Sequence, residues 1–572
     1  MRKLLPFLRP YRRESILGPL FKLLEATLEL FVPLLVASVI DRGIDAGDRS
    51  HVLWMALALV GLGLVGLAFS VTAQYFSAKA SVGFVTALRH ALFAHIQQFS
   101  YAQLDKVGVS TLITRMTSDM NQVQTGLNLT LRLLLRSPFV VFGAVVMAFT
   151  VDVQAALWFV AAVPVLSFVI FGIMLISMPM YRQVQQLLDR VLGASREHLN
   201  GVRVLRAFRK EASETASFTE KNVALTAMQQ KVGRISALMN PVTYIIINLA
   251  IIALIRTGAI RVNLGILTQG AVIALYNYMS QILIELIKLA NLIINITKSV
   301  ACGKRIQNVL DLPAGESREQ GLEPGDPSDR VAFVDAGLRY PGAGENALTG
   351  INLRVKPGQT VGVIGGTGSG KTSFVNLIPR FYTATEGNVY VDGENVRSMD
   401  PEVLRAKIGI VPQKATLFQG TIRDNLRWGN ESAADPDLEA ALAAAQALDV
   451  AEAKGGLDGM LEQFGRNLSG GQRQRLTIAR ALVRKPEILI LDDSSSALDY
   501  ATDAALRHTL RELDYKPTVF LVSQRTASVR FADQILVLED GRPVGLGTHE
   551  SLLRDCPVYR EIHESQFKKE VV

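Results

Sequence analysis

Residues 365–372 read Gly365-Gly366-Thr367-Gly368-Ser369-Gly370-Lys371-Thr372 and are followed by Ser373. An apolar run from Thr360 to Ile364 precedes them, and a helical pattern opens at Lys371. Glycine at this density lets backbone N–H groups close around phosphate oxygens, and the start of the following helix adds a favourable dipole. Lys371 is then placed to reach the β and γ phosphates of a nucleotide, and Thr372 to ligate Mg²⁺. A second signal lies downstream, where Ile488-Leu489-Ile490-Leu491 ends in Asp492. A buried strand that ends in a carboxylate holds Mg²⁺ through a water beside such a loop. The two stretches together call for a nucleoside triphosphate with Mg²⁺.

A sheet must hold these residues. Beyond residue 330, short apolar strands alternate with helical patterns, the layout of an α/β nucleotide-binding domain over 331–572. Residues 313–330 are rich in proline and glycine and read as a linker. Residues 1–312 differ in kind. The chain has 572 residues, 49% hydrophobic and 20% charged, which is more than one core accommodates. Its apolar residues concentrate before about residue 300 in runs of bilayer length. Hydropathy places spans near 16–40, 52–78, 130–152, 155–180, 240–260 and 267–296.

Ten Lys or Arg residues lie from Arg182 to Arg234 and five in the first 13 positions, against none in the turn around Asp152. Lysine and arginine mark the cytoplasmic side. The N-terminus, both long loops and everything after residue 297 are therefore expected in the cytosol. The same orientation accounts for the formal charge of +8, so nucleic acid is not expected as a partner. Cys302 and Cys556 lie far apart without companion ligands, which argues against a disulfide or a zinc site. Arg2, Lys3, Arg9, Arg12 and Arg13 surround a few apolar residues without a small-residue cleavage site. This predicts an interfacial amphipathic helix and not a signal peptide.

Residues 80–128 and 182–238 are polar yet helically patterned, as in Leu88, Leu92, His95, Ile96 and Phe99. They are expected to carry the spanning helices about 25 Å or more into the cytosol at a rise of 1.5 Å per residue. Inside the spans, Glu25 and Glu29 share one face of the first with Lys22 a turn earlier, and the sixth carries Glu285, Lys288, Asn291 and Asn295. Ionisable groups are costly in lipid and face a bundle interior or a wet cavity. Two readings stand side by side. One is a polar substrate pathway through Glu25, Glu29, Glu285, Asn291 and Asn295; the other is ion pairs, Lys22 with Glu25 and Glu285 with Lys288, that hold helices in register.

Leu468-Ser469-Gly470-Gly471-Gln472, taken with the phosphate loop, resembles the signature motif of ATP-binding cassette (ABC) proteins, and the resemblance covers essentially the whole chain. Tyr340, 25 residues before Gly365, is similar to the aromatic that stacks on adenine. Gln413 resembles the Q-loop glutamine that contacts Mg²⁺ and the membrane domain, and Ser496-Ala497-Leu498-Asp499 resembles the D-loop. Residues 461–467 occupy the stretch that touches coupling helices. Six spans followed by a cassette is the order of bacterial multidrug and lipid exporters.

The resemblance implies an all-α six-helix transmembrane domain of the ABC type I exporter fold, also called type IV, followed by an α/β P-loop cassette. It implies a bacterial inner membrane with the cassette in the cytosol. It also implies a dimer in which ATP is sandwiched between the P-loop of one chain and the signature of the other, with Mg²⁺ at Thr372, Gln413 and Asp492. Helices at the arm tips, expected near 109–121 and 200–212, would carry cassette closure to the spans.

Two positions depart from the family pattern. The catalytic glutamate after the Walker B aspartate is Asp493, and the switch histidine is Gln524. The shorter carboxylate lies about 1.5 Å farther from an attacking water, and a misplacement of about 1 Å can cost ~100-fold in rate. Glutamine is neutral and shuttles no proton. These changes predict a slow ATP site of this chain's own, with its intact signature completing a competent site on a second half-transporter that carries glutamate and histidine. A homodimer in which Asp493 serves as base is the alternative. Export of drug-like or lipid-like amphiphiles is the expected function, with cationic ones favoured by Glu25 and Glu29. A dedicated lipid flippase and an ATP-gated regulatory or channel-like subunit are the competing readings.

Overall fold

Among the described residues, six helices are long and apolar enough to cross a membrane: Lys3–Ile44, Arg49–Gln97, Val109–Val151, Val153–Asn200, Glu211–Asn263 and Gln269–Leu310. This computed structural model describes residues 2–313 and 315–567. The chain divides into two compact units, Met1–His95 with Ser110–Leu312 and Ile96–Val109 with Pro313–Val572.

The six helices are those that the hydropathy predicts, and they continue into the polar arms, the third with a break at Leu134–Leu135 and the fifth with one at Leu238. Alanines line their buried faces, among them Ala26, Ala144, Ala148, Ala155, Ala156 and Ala274, around the large side chains of Phe159, Leu166 and Tyr278. Small residues let helix backbones approach where lipid offers no hydrophobic driving force. The Tyr278 hydroxyl donates to the Leu30 carbonyl at 2.6 Å. Leu57, Leu64, Phe142, Phe168 and Ile252 point outward, as apolar residues facing lipid do. Asp152 turns the chain between two helices and caps the second, its carboxylate accepting from Ala155 N–H at 2.7 Å. Thr268 caps the sixth through Ala271 N–H.

The arm tips carry two short helices, Tyr101–Val107 and Val202–Ala207. The first lies ahead of the expected 109–121. A capping box between Ser100 and Gln103 opens it, and Gly108, with φ of +80°, closes it. The returning helix has already begun at Val109.

In the second unit six strands form one sheet in the order Arg542–Gly547, Gln534–Glu539, Thr360–Gly365, Thr518–Val522, Ile488–Asp492 and Ile408–Val411. All pairs are parallel except the outer one at Arg542–Gly547. The central strands are mostly apolar and, Thr360 apart, buried, as expected for strands covered on both faces. A four-stranded sheet containing Val331–Leu338 and Leu348–Val355 packs beside it. Residues 315–330 are strapped along this unit, with Glu316 bonded to Arg405 at 2.6 Å and Gly325 N–H to the Gly393 carbonyl at 2.8 Å.

Candidate functional site

The phosphate loop leaves the C-terminal end of the central strand. A Cβ at Gly365 would stand 2.1 Å from the Leu538 carbonyl oxygen, so only glycine lets the two backbones approach. Gly370, at φ +92°, turns the chain into the helix Lys371–Val375 through a conformation that side chains disfavour. Lys371 Nζ folds back over the loop and donates to the carbonyls of Gly365 at 2.9 Å and Gly366 at 2.6 Å. Burial lowers its pKa, opposed by the charges of Asp493 and Asp492.

The Thr372 hydroxyl lies 3.1 and 3.0 Å from the two oxygens of Asp492, at the end of Ile488–Asp492, the next strand but one in the sheet. Burial raises the Asp492 pKa; the hydrogen bond from Thr372 opposes that, and the adjacent Asp493 adds to it. A buried carboxylate short of positive charge beside a hydroxyl, with the Gln413 carboxamide at the next carboxylate, is a set of hard oxygens that suits Mg²⁺. Tyr340 is half-buried next to this helix, its hydroxyl 2.8 Å from that of Ser373. Its ring meets Tyr382 edge-on, with centroids 4.9 Å apart.

Asp493 adopts φ of +47°, a strained value for a residue with a side chain. Its N–H donates to the Val522 carbonyl at 3.1 Å and its own carbonyl accepts from the Ser496 hydroxyl at 2.8 Å. Burial raises its pKa; the hydrogen bond from Gln413 and the charges of Lys371 and Arg525 pull it back. Asp493 and Gln524 line one cleft of about 620 Å³, together with Ser496, Tyr500, Arg525 and Gln566.

Ser469 caps the helix Gly470–Val483 in a capping box with Gln472. The Ser469 hydroxyl accepts the Gln472 N–H there, so its own O–H remains available as a donor. Gly471 lies against the Ser496–Asp499 stretch, where a Cβ would stand 2.9 Å from the Ala497 carbonyl oxygen. Leu468 and Leu498 are buried beneath. Asp499 caps the next helix through Thr502 N–H at 2.8 Å.

In the membrane unit both expected ion pairs form. Lys22 meets Glu25 at 2.6 Å and Lys288 meets Glu285 at 2.9 Å. Arg136, which sequence reasoning passed over, joins the first and sixth spanning helices by bonding Glu29 at 2.5 Å and Glu285 at 2.7 Å. An arginine inside the predicted span 130–152, which it shares with Arg132, was the available signal. Asn295 donates to the Asn291 carbonyl one turn back and does not enter this cluster.

The profile of the ABC transporter transmembrane region matches residues 15–286, and that of the ABC transporter cassette matches 348–496. The ABC transporter ATP-binding protein YfiB of Bacillus subtilis is 35% identical over 571 residues, 100% of this chain and 99% of that protein. The chain belongs to the ABC transporter family. This ABC transporter chain is also similar to the ATP-dependent lipid A-core flippase of Salmonella typhimurium, 29% identical over 99% of this chain and 97% of the flippase. Its fold is that of a bacterial Atm1-family ABC exporter solved with ATP bound, at a TM-score of 0.81 and 23% identity, covering 98% and 99% of the two chains. The ABC transporter chain is accordingly an integral membrane protein with a nucleotide-binding cassette.

Proposed function

We propose that this chain is one half of an ATP-driven exporter of hydrophobic or amphiphilic compounds, with a slow ATP site of its own and a signature that completes a competent site on a different half-transporter. The observation that carries the reading is that Asp493 and Gln524, the two departures from the family pattern, line the same cleft. Changes that meet at one site act on one chemical step.

The phosphates of ATP occupy the loop from Gly365 to Ser373, where Lys371 exchanges its two loop carbonyls for the β and γ oxygens. Tyr340 offers a face for adenine. Thr372, Asp492 through a water, and Gln413 hold Mg²⁺, which neutralises charge on the transferring phosphoryl group. Hydrolysis then needs a base to orient and deprotonate water. Asp493 keeps the charge but not the reach, and the neutral carboxamide of Gln524 replaces a group that could carry a proton. The Ser469 O–H and the open amides at Gly470 and Gly471 face the ATP of the partner's P-loop instead. That partner carries the glutamate and histidine.

Lipid is the second candidate cargo, favoured by the likeness to the lipid A-core flippase. Glu25 and Glu29 keep a preference for cationic amphiphiles only to the extent that their pairing with Lys22 and Arg136 opens. Inside-out vesicles carrying the assembled transporter test the reading. ATP-dependent accumulation of a fluorescent amphiphile against its gradient is the expected result; equilibration without accumulation would make the chain part of a gate. Translocation of labelled lipid in the same vesicles, without amphiphile uptake, would select the flippase.

A further inference from the structure

The strand Thr518–Val522 leads into a loop that carries Gln524 and Arg525 and opens the short helix Thr526–Val529. A helix start leaves its first N–H groups without intrahelical partners, and Arg525 at the N-cap makes no side-chain capping bond. The partner comes from 40 residues downstream. Gln566, in the last turn of the helix Pro557–Phe567, accepts through Oε1 from the Thr526 N–H at 2.9 Å and the Thr526 hydroxyl at 3.1 Å. Through Nε2 it donates to the Gln524 carbonyl at 2.7 Å. Both functions of one carboxamide are used, which neither a carboxylate nor an apolar side chain reproduces.

The helix that bears Gln566 is itself fixed. Tyr559 is fully buried, its hydroxyl meets His549 Nδ1 at 2.7 Å, and Val558 and Ile562 pack on the cassette core. His563, one turn before Gln566, approaches the Thr526 hydroxyl at 3.3 Å. Gln566 also borders the cleft that Asp493 and Gln524 share.

We propose that Gln566 is a positioning residue of the ATP site, holding the Gln524–Thr526 backbone from the C-terminal helix so that residue 524 faces the γ-phosphate end beside Asp493. The inference rests on reading that cleft as the γ-phosphate end and not on how fast the site turns over. A contact that lifted the C-terminal helix would slacken the loop without touching the P-loop, which makes this helix a place where hydrolysis can be adjusted independently of ATP binding.

The test is single-turnover loss of bound ATP by the full-length chain in its assembled dimer, in five forms: unchanged, Gln566→Ala, Gln566→Glu, Gln524→Ala, and Gln566→Ala with Gln524→Ala. Gln566→Ala should slow the step about 10-fold, leave the Kd for ATP within about 2-fold, and add nothing once residue 524 is alanine, as expected of residues acting as a unit. Gln566→Glu, which keeps the length and loses the donor, should behave like Gln566→Ala. Deuterium exchange over residues 524–529 should rise in both. An unchanged rate, or an equal slowing in the Gln524→Ala background, would overturn the proposal and leave Gln566 a structural cap. Where the unchanged site is too slow to follow, the same set on the Asp493→Glu chain gives the same ratios. The absolute rate of the unchanged chain bears on the slow-site reading alone; the ratios bear on Gln566 alone.

Discussion

Arg136 joins three helices of the membrane unit through two carboxylates. Its side chain is 9% exposed and that of Glu285 is 2% exposed, while Glu29 is 41% exposed. Breaking a buried ion pair from one side leaves an uncompensated charge and costs about 3–5 kcal/mol, whereas removing both charges is far better tolerated. Lys288 still pairs Glu285, so Arg136→Met should lower the midpoint of thermal unfolding in detergent by part of that cost, and Arg136→Met with Glu285→Gln should recover part of the loss. Equal destabilisation by the single and double changes would mean that the bond to Glu285 is incidental. The pairs Lys22–Glu25 and Glu285–Lys288 were legible, because helical spacing alone brings their members together. Arg136 was not, since its partners lie 107 and 149 residues away. Gln566 was hidden for the same reason, being a polar residue in a helix with no motif.

At the scale of elements, the tip helix Tyr101–Val107 clusters with the cassette residues and not with the spans. Tyr101 stacks on Phe381 with centroids 4.3 Å apart, Arg405 lies 5.3 Å from the same ring, and Gln103 Nε2 donates to the Pro313 carbonyl at 2.6 Å. The Tyr382 hydroxyl donates to Asp105 at 2.5 Å, and burial together with that carboxylate pushes its phenol pKa up. Because Tyr382 also meets Tyr340 edge-on, it links the tip helix to the aromatic proposed to stack on adenine. Tyr382→Phe removes one hydrogen bond to a charged group, about 1.5–3 kcal/mol. It should reduce substrate stimulation of ATPase activity several-fold while the KM for ATP stays within about 2-fold. Full stimulation in the variant would show that the contact carries no coupling.

The position of this helix was readable and was read a few residues late. The Ser100 and Gln103 capping box and the stop at Gly108 are sequence signals, but the expected 109–121 rested on the family resemblance and not on them. The strand, glycine loop and helix of the phosphate site were legible because their residue types have few other uses. The strained φ of Asp493 was not, since no spacing rule encodes it.

The whole molecule combines a membrane unit that six apolar helices define with a cassette whose chemical residues gather at the C-terminal ends of parallel strands. That gathering could be anticipated from alternating strands and helices, as ligand sites in open α/β sheets lie there. Two such chains divide the labour of hydrolysis in the function proposed. That division is tested most directly by the ATPase rate of the purified chain alone, of the chain carrying Asp493→Glu with Gln524→His, and of the chain co-assembled with a half-transporter that has glutamate and histidine at these positions. A low rate is expected for the chain alone, a rise of about 100-fold for the doubly changed chain, in line with the cost of ~1 Å of misplacement, and a high rate for the mixed dimer. A high rate from the unchanged chain alone would contradict that division and make this an ordinary homodimeric pump.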